Sequence, residues 1–287
     1  MSDIIIIGNG PAGISAALYT LRARMSTTII GRDGGALAKA DKIENYYGFP
    51  EPVSGSELIS SGIAAAKRLG AEILTDEVVS IGYNGLLEVK TKTATLEAPG
   101  VILATGSVRS KPSIEGLEAF EGRGVSYCAV CDGFFFRGKD VCVIGEGDYA
   151  VNEAAELAPL VKSVTVLTNG LAPTAEIPSG MTVITDKISA VKGGDTVEEV
   201  VLESGSSIKT DGVFVAVGVA GSGELARKLG VGMSGRGIAV DENMATGIPG
   251  LYAAGDCTAG MLQIAKAVYE GAKAGTEIVK YIRANSA

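Results

Sequence analysis

Residues 3–13 read Asp3-Ile4-Ile5-Ile6-Ile7-Gly8-Asn9-Gly10-Pro11-Ala12-Gly13. Four consecutive isoleucines predict a strand buried on both faces, as in a parallel sheet. The glycines that follow predict a tight turn into a helix. Gly10 lets the backbone approach a pyrophosphate, whose charge meets the helix N-terminus. Residues 14–24 place small and apolar side chains at helical spacing, and Thr27-Thr28-Ile29-Ile30 reads as the next strand. This is a βαβ unit with a dinucleotide-type loop at its turn. A plain tight turn is the competing reading, and the loop's place between a buried strand and a helix argues against it.

The pattern returns. Asp140-Val141-Cys142-Val143-Ile144 reads as a strand, Gly145-Glu146-Gly147-Asp148-Tyr149-Ala150 as a second loop, residues 151–158 as a helix and residues 163–167 as a strand. Two further apolar strands close in small residues, Val101-Ile102-Leu103-Ala104-Thr105-Gly106 and Gly212-Val213-Phe214-Val215-Ala216-Val217-Gly218. Gly250-Leu251-Tyr252-Ala253-Ala254-Gly255-Asp256 runs from strand to glycine to acid, and residues 263–272 read as a last helix. The expected architecture is therefore α/β, with two Rossmann-like, three-layer nucleotide-binding domains. The second is inserted in the first: residues 1–112 with 245–287, and 113–244 between them.

The second loop departs from a working nucleotide site. Glu146 puts a carboxylate where a pyrophosphate would lie. After the following strand comes Thr168-Asn169-Gly170, with no acid for a ribose hydroxyl and no basic cluster for a 2′-phosphate. The preferred reading is a domain that keeps the fold and has lost the ligand. The first unit also lacks the usual ribose acid; Arg32 and Asp33 stand near its place.

Composition narrows the chemistry. The chain has 287 residues, enough for two domains, with 46% hydrophobic residues and 40 glycines. Its net charge of -8 and pI near 4.8 argue against a nucleic-acid partner. No apolar run reaches the ~18 residues of a membrane span. The start, Met1-Ser2-Asp3-Ile4, has no basic leader, and four cysteines fit a reducing cytoplasm, the expected location. Histidine is absent, which removes Ser-His-Asp and Cys-His catalysis and histidine-ligated metal; no metal site is expected.

Between the two loops lies Cys128-Ala129-Val130-Cys131-Asp132-Gly133. Cysteines with two residues between them form a reversible disulfide, and the arrangement lowers the pKa of one thiol. Asp132 stands next to the pair and is the candidate to move a proton to the leaving thiolate. A metal knuckle would need a second pair, which Cys142 and Cys257 do not make. Cys142 reads as a buried small hydrophobe, as does Cys257 beside Gly255-Asp256. Phe134-Phe135-Phe136 reads as core packing or a domain contact before a docking surface.

With these residues in view, the chain resembles the low-molecular-weight thioredoxin reductases over essentially its full length. The resemblance rests on Gly8 to Gly13, Gly34-Gly35-Ala36-Leu37, Glu44-Asn45, Ala104-Thr105-Gly106, the cysteine motif, and Gly255-Asp256 with Gln263-Ile264-Ala265. It implies a homodimer that binds FAD, with Gly8, Gly10, Pro11, Ala12, Gly13, Gly35, Ala36, Leu37, Asn45, Ala104, Thr105, Gly106, Gly255, Asp256, Gln263 and Ile264 around the cofactor. It implies Cys131 as the thiol nearest the flavin, Cys128 as the thiol that attacks thioredoxin, and Asp132 as the proton donor. The missing basic motif and Glu146 make the chain most similar to the ferredoxin-dependent flavin thioredoxin reductases. There, reduced ferredoxin supplies single electrons, and the disulfide takes two and passes them to thioredoxin. Three alternatives stay open. One is an NADPH- or NADH-dependent reductase with its contacts elsewhere. Another is a member of the deeply rooted thioredoxin-reductase-like group. The third is a non-catalytic flavin-binding sensor, against which the cysteine pair and Asp132 argue.

Overall fold

The structure is a computed structural model that describes residues 2–32, 34–106, 112–178, 180–218, 220–235 and 237–285. The chain divides into two compact units, Met1–Arg109 with Gly221–Ala287, and Ser110–Ala220.

In the first unit, β1 (Ile4–Ile7), α1 (Pro11–Arg22), β2 (Thr27–Ile30), α2 (Gly55–Arg68) and β3 (Glu72–Leu74) follow the expected βαβ order. An antiparallel sheet of β4 (Val78–Tyr83), β5 (Leu87–Thr91) and β6 (Thr95–Ala98) leads into β7 (Gly100–Leu103). The parallel sheet of this unit places β1 between β7 and β2, so all four isoleucines of β1 are buried. α2 starts at a capping box in which Ser54 Oγ accepts from Glu57 N–H and the Glu57 carboxylate accepts from Ser54 N–H.

The second unit repeats the plan. Along the chain run β8 (Val125–Ser126), α3 (Ala129–Asp132), β9 (Asp140–Ile144), α4 (Asp148–Leu157), β10 (Ser163–Leu167) and β11 (Thr182–Ile184). An antiparallel sheet of β12 (Ile188–Gly193), β13 (Val197–Leu202) and β14 (Ser207–Lys209) precedes β15 (Gly212–Val215). The parallel sheet has the order β11-β10-β9-β15-β8.

The repeat read from the sequence extends to single contacts. Gly8 N–H donates to Ile30 O at 2.8 Å, and Gly145 N–H to Leu167 O at 2.9 Å. A Cβ on Gly8 would lie 2.2 Å from Ala104 O, and one on Gly145 would lie 2.2 Å from Ala216 O. Both glycines have positive φ, so both loops need a residue without a side chain.

The copies differ at one crossover. In the first unit the link from β2 to β3 carries α2. In the second, no described residue between β10 and β11 is helical. A parallel crossover usually carries a helix, and here turns suffice.

The chain then returns to the first unit through α5 (Ser222–Lys228), β16 (Met233–Ser234), β17 (Gly237–Ile238), β18 (Leu251–Ala253) and α6 (Ile264–Asn285). The return falls at Gly221, ahead of the expected position near residue 245, because α5 is tied to the first unit. Ser222 N–H donates to Thr105 Oγ1 at 2.8 Å, and Thr105 N–H donates back to Ser222 Oγ at 3.2 Å. Among the described residues no helix is long and apolar enough to cross a membrane.

Candidate active site

The redox turn belongs to the second unit. Cys128 and Cys131 are joined as a disulfide, with Cα atoms 5.3 Å apart. The segment is one helical turn: Cys128 is the N-cap of α3, and Cys131 N–H donates to Cys128 Sγ at 3.2 Å. Cys128 is buried and Cys131 exposed.

Two side chains passed over in the sequence hold this turn. Ser126, at the end of β8, accepts Cys128 N–H at 3.1 Å and donates its hydroxyl to Asp132 Oδ2 at 2.6 Å. It thus joins the cysteine backbone to the candidate proton donor. Glu153, on α4 and 1% exposed, accepts Ala129 N–H at 2.8 Å. The signal for Ser126 was its place at the end of a short strand two residues before Cys128. Glu153 carried none, since a glutamate in an amphipathic helix reads as solvated.

The aromatic run splits. Phe136 packs edge-on against Phe214, ring centroids 5.2 Å apart, whereas Phe134 and Phe135 are 67% and 70% exposed.

In the first unit, segments far apart in sequence converge on the glycine loop. Gly10 is the N-cap of α1 with Pro11 at its first position, and the space where a Cβ of Gly10 would point is open. A cleft of about 180 Å³ beside it is lined by Gly10, Pro11, Leu37, Tyr46 and Ile264, among others. Asn45 Nδ2 donates to Gln263 Oε1 at 3.1 Å. Ala104 is buried at the end of β7 with its N–H on Ile7 O, while Thr105 pairs with Ser222. Gly35 and Ala36 are exposed at the start of the turn that carries Leu37. Arg32 lies 3.6 Å from Glu77; Asp33 lies outside the described residues.

Gly255-Asp256 follows β18 and is clamped by α6. Glu270 accepts Gly255 N–H and the Thr258 hydroxyl, each at 2.8 Å. Lys266 Nζ donates to Gly255 O at 2.9 Å and lies 3.2 Å from Glu270. Glu270 is buried and Lys266 largely covered, and sequence reading missed both because their spacing on a helix is that of an ordinary surface pair. Asp256 Oδ1 is buried with no hydrogen-bond partner in the protein, and burial pushes its carboxyl above the ordinary value, the Glu270 charge adding to this and Lys266 opposing it. An orphaned acceptor beside an open glycine loop fits a hydroxyl-bearing phosphate ligand, as FAD is.

The other two cysteines are buried and their thiols are pushed up to about 11 by burial. Cys257 Sγ points at Ala254 O and Leu103 O. Among the described residues no group of histidine, cysteine or acidic side chains has the arrangement of a metal site.

Two dinucleotide-type sheets and a reversible cysteine pair define a flavin-linked disulfide oxidoreductase. A family model for pyridine nucleotide-disulphide oxidoreductases matches residues 2–271. The thioredoxin reductase of Listeria monocytogenes is 36% identical over 302 residues, covering 98% of this chain and 93% of the relative. The atypical thioredoxin reductase TRi from Desulfovibrio vulgaris Hildenborough superposes with a TM-score of 0.93 at 40% identity, over 99% of each chain. A ferredoxin-flavin thioredoxin reductase from Clostridium acetobutylicum gives a TM-score of 0.71 at 33% identity, over 99% of this chain and 98% of that one. The chain belongs to the thioredoxin reductase family of pyridine nucleotide-disulphide oxidoreductases, and FAD is its cofactor.

Proposed function

We propose that this flavoenzyme reduces the disulfide of thioredoxin and draws its electrons from reduced ferredoxin. The observation that carries the choice of donor is the state of the second glycine loop. Thr174 N–H donates to Glu146 O at 2.8 Å and the Thr174 hydroxyl reaches the same oxygen at 3.2 Å. The segment after β10 is thereby folded onto the loop where a pyrophosphate would bind. The Thr168 hydroxyl is turned inward to Leu171 O, at the strand end where a ribose would be read. The likeness to a structure named as a ferredoxin-flavin thioredoxin reductase supports the same choice. The unit that carries the cysteine pair, Ser110–Ala220, thus keeps a nucleotide-binding fold with a degenerate site.

Bound FAD supplies the conversion of single electrons into the pair that the disulfide takes. Gly8, Gly10, Pro11, Ala12 and Gly13 would hold its pyrophosphate side, and Asp256 would accept a ligand hydroxyl. Gly35, Ala36, Leu37, Asn45, Ala104, Thr105, Gly106, Gly255, Gln263 and Ile264 would shape the rest of the site. Reduction of Cys128–Cys131 consumes two electrons and two protons. Cys128 then attacks the thioredoxin disulfide, Asp132 protonates the departing thiolate, and Cys131 displaces thioredoxin as a dithiol while the disulfide re-forms. Cys128 is buried, so its attack requires that its cover move aside. The enzyme works as a homodimer.

Thioredoxin thiols formed over time, with reduced ferredoxin or NADPH as sole reductant, test the proposal. It expects turnover with ferredoxin alone; turnover with NADPH alone contradicts it.

A further inference from the structure

We propose that the Asn9 carboxamide reads the 2′-hydroxyl of the FAD adenosine ribose, the task that a carboxylate at position 31 would perform in an ordinary dinucleotide fold. The inference rests on the proposed placement of the FAD pyrophosphate on the loop of residues 8–13.

In such a fold the acid stands about 20 residues beyond the glycines, at the end of the second strand. Here that strand is β2, it ends at Ile30, and the next residue is Gly31. Gly31 N–H donates to Leu74 O at 3.0 Å, which fixes position 31 at the end of the sheet. Its φ lies outside the left-handed region, so the backbone does not ask for glycine. A neighbouring side chain does. A Cβ on Gly31 would lie 2.4 Å from Asn9 Cγ and 2.7 Å from both Asn9 Oδ1 and Nδ2. The carboxamide thus fills the space that a side chain at position 31 would take. Arg32, the residue after it, lies 3.6 Å from Glu77.

Asn9 also lines the cleft beside Gly10 and Pro11, so its side chain borders the space open to a ligand on that loop. A carboxamide suits the place. Its oxygen accepts from a hydroxyl as a carboxylate does. It is neutral, so it sets no like charge beside a pyrophosphate.

At the corresponding points of the second unit stand Glu146, between Gly145 and Gly147, and Thr168, the residue after β10. There the strand end carries a side chain, turned to Leu171 O, and the loop residue is an acid. Of the two units, the one proposed to hold FAD is the one that pairs a bare strand end with a neutral carboxamide.

The test is FAD binding by the full-length chain freed of flavin, read from the quenching of flavin fluorescence, with FAD and its 2′-deoxyadenosine analogue as ligands. The native chain is expected to bind FAD about fivefold more tightly than the analogue, the effect of one neutral hydrogen bond. Asn9→Ala is expected to bind FAD about fivefold more weakly and to bind the two ligands equally. A purely structural role for Asn9 would weaken both ligands alike and leave the preference in place. That result, or a native chain without the preference, overturns the proposal. Should Asn9→Ala not fold, Gly31→Ala, whose Cβ displaces the carboxamide, must lose the preference instead, and a preference kept there overturns the proposal as well. Gly10→Ala tests the placement beneath it, because a Cβ there meets no protein atom within 4 Å and obstructs only a ligand. Both ligands should then bind more weakly. Unchanged FAD binding in Gly10→Ala removes the loop from the FAD site, a failure distinct from that of Asn9 alone.

Discussion

The Ser126 hydroxyl donates to Asp132 Oδ2 at 2.6 Å while its oxygen accepts Cys128 N–H at 3.1 Å. One side chain thereby fixes both the backbone of a redox cysteine and the rotamer of the neighbouring acid. A proton donor works only within hydrogen-bond reach of the atom it serves. Ser126→Ala is expected to lower the rate of thioredoxin reduction about tenfold at a stability cost of about 1 kcal/mol. Ser126→Thr, which keeps the hydroxyl, should recover most of the rate. Steady-state kinetics with thermal unfolding of the same samples checks both.

Cys128→Ser removes the proposed nucleophile and leaves the proposed flavin site in the other unit untouched. Disulfide reduction should fall at least a thousandfold, the scale lost with an attacking nucleophile. FAD content and flavin reduction by the electron donor should be unchanged. Loss of FAD on this substitution would contradict the assignment of the two sites to separate units.

Lys266 and Glu270 form a largely covered pair that grips Gly255 from both its N–H and its C=O. Lys266→Met leaves the carboxylate without its counter-charge, at a cost of about 3–5 kcal/mol. Lys266→Met with Glu270→Gln removes both charges and should recover much of that stability. Because the pair sets the turn that carries Asp256, Lys266→Met should also weaken FAD binding about tenfold or more. Thermal melts with and without added FAD, and flavin fluorescence titrations, separate the two effects.

Burial raises the Cys142 and Cys257 thiols from 9.0 to about 11. An acid whose pKa is higher in the folded state binds more protons there, between the two values, than in the unfolded state. Stability therefore falls as pH rises through that window. The contribution is fully present below the unfolded value of 9.0 and is lost between 9.0 and about 11. Urea midpoints measured up to alkaline pH should decline less steeply in a Cys142→Ala, Cys257→Ala variant than in the native chain.

Much of this was legible in the sequence because it depends on local pattern. Four isoleucines ahead of Gly8 can only sit in a covered strand, and the loops at Gly8 and Gly145 need residues without side chains. The cysteine pair announced itself by spacing. The turn became a helical segment because Cys128 caps it with its own sulfur, a geometry that spacing alone does not specify. Ser222 was assigned to the inserted domain because its tie to Thr105 spans 117 residues of sequence. Glu153, Lys266 and Glu270 escaped notice for the same reason: charged residues on helices look solvated until the element that covers them is known. The strap at Thr174 was visible only as a lack of basic residues, and its contact with Glu146 O came from the fold.

On the proposed reading, electrons enter from ferredoxin and not from a pyridine nucleotide. Its most direct test is anaerobic stopped-flow spectroscopy of the oxidised holoenzyme, following flavin absorbance after mixing with reduced ferredoxin, NADPH or NADH. Rapid bleaching by ferredoxin and none by either nucleotide is expected; rapid bleaching by NADPH at micromolar concentration rules the ferredoxin reading out.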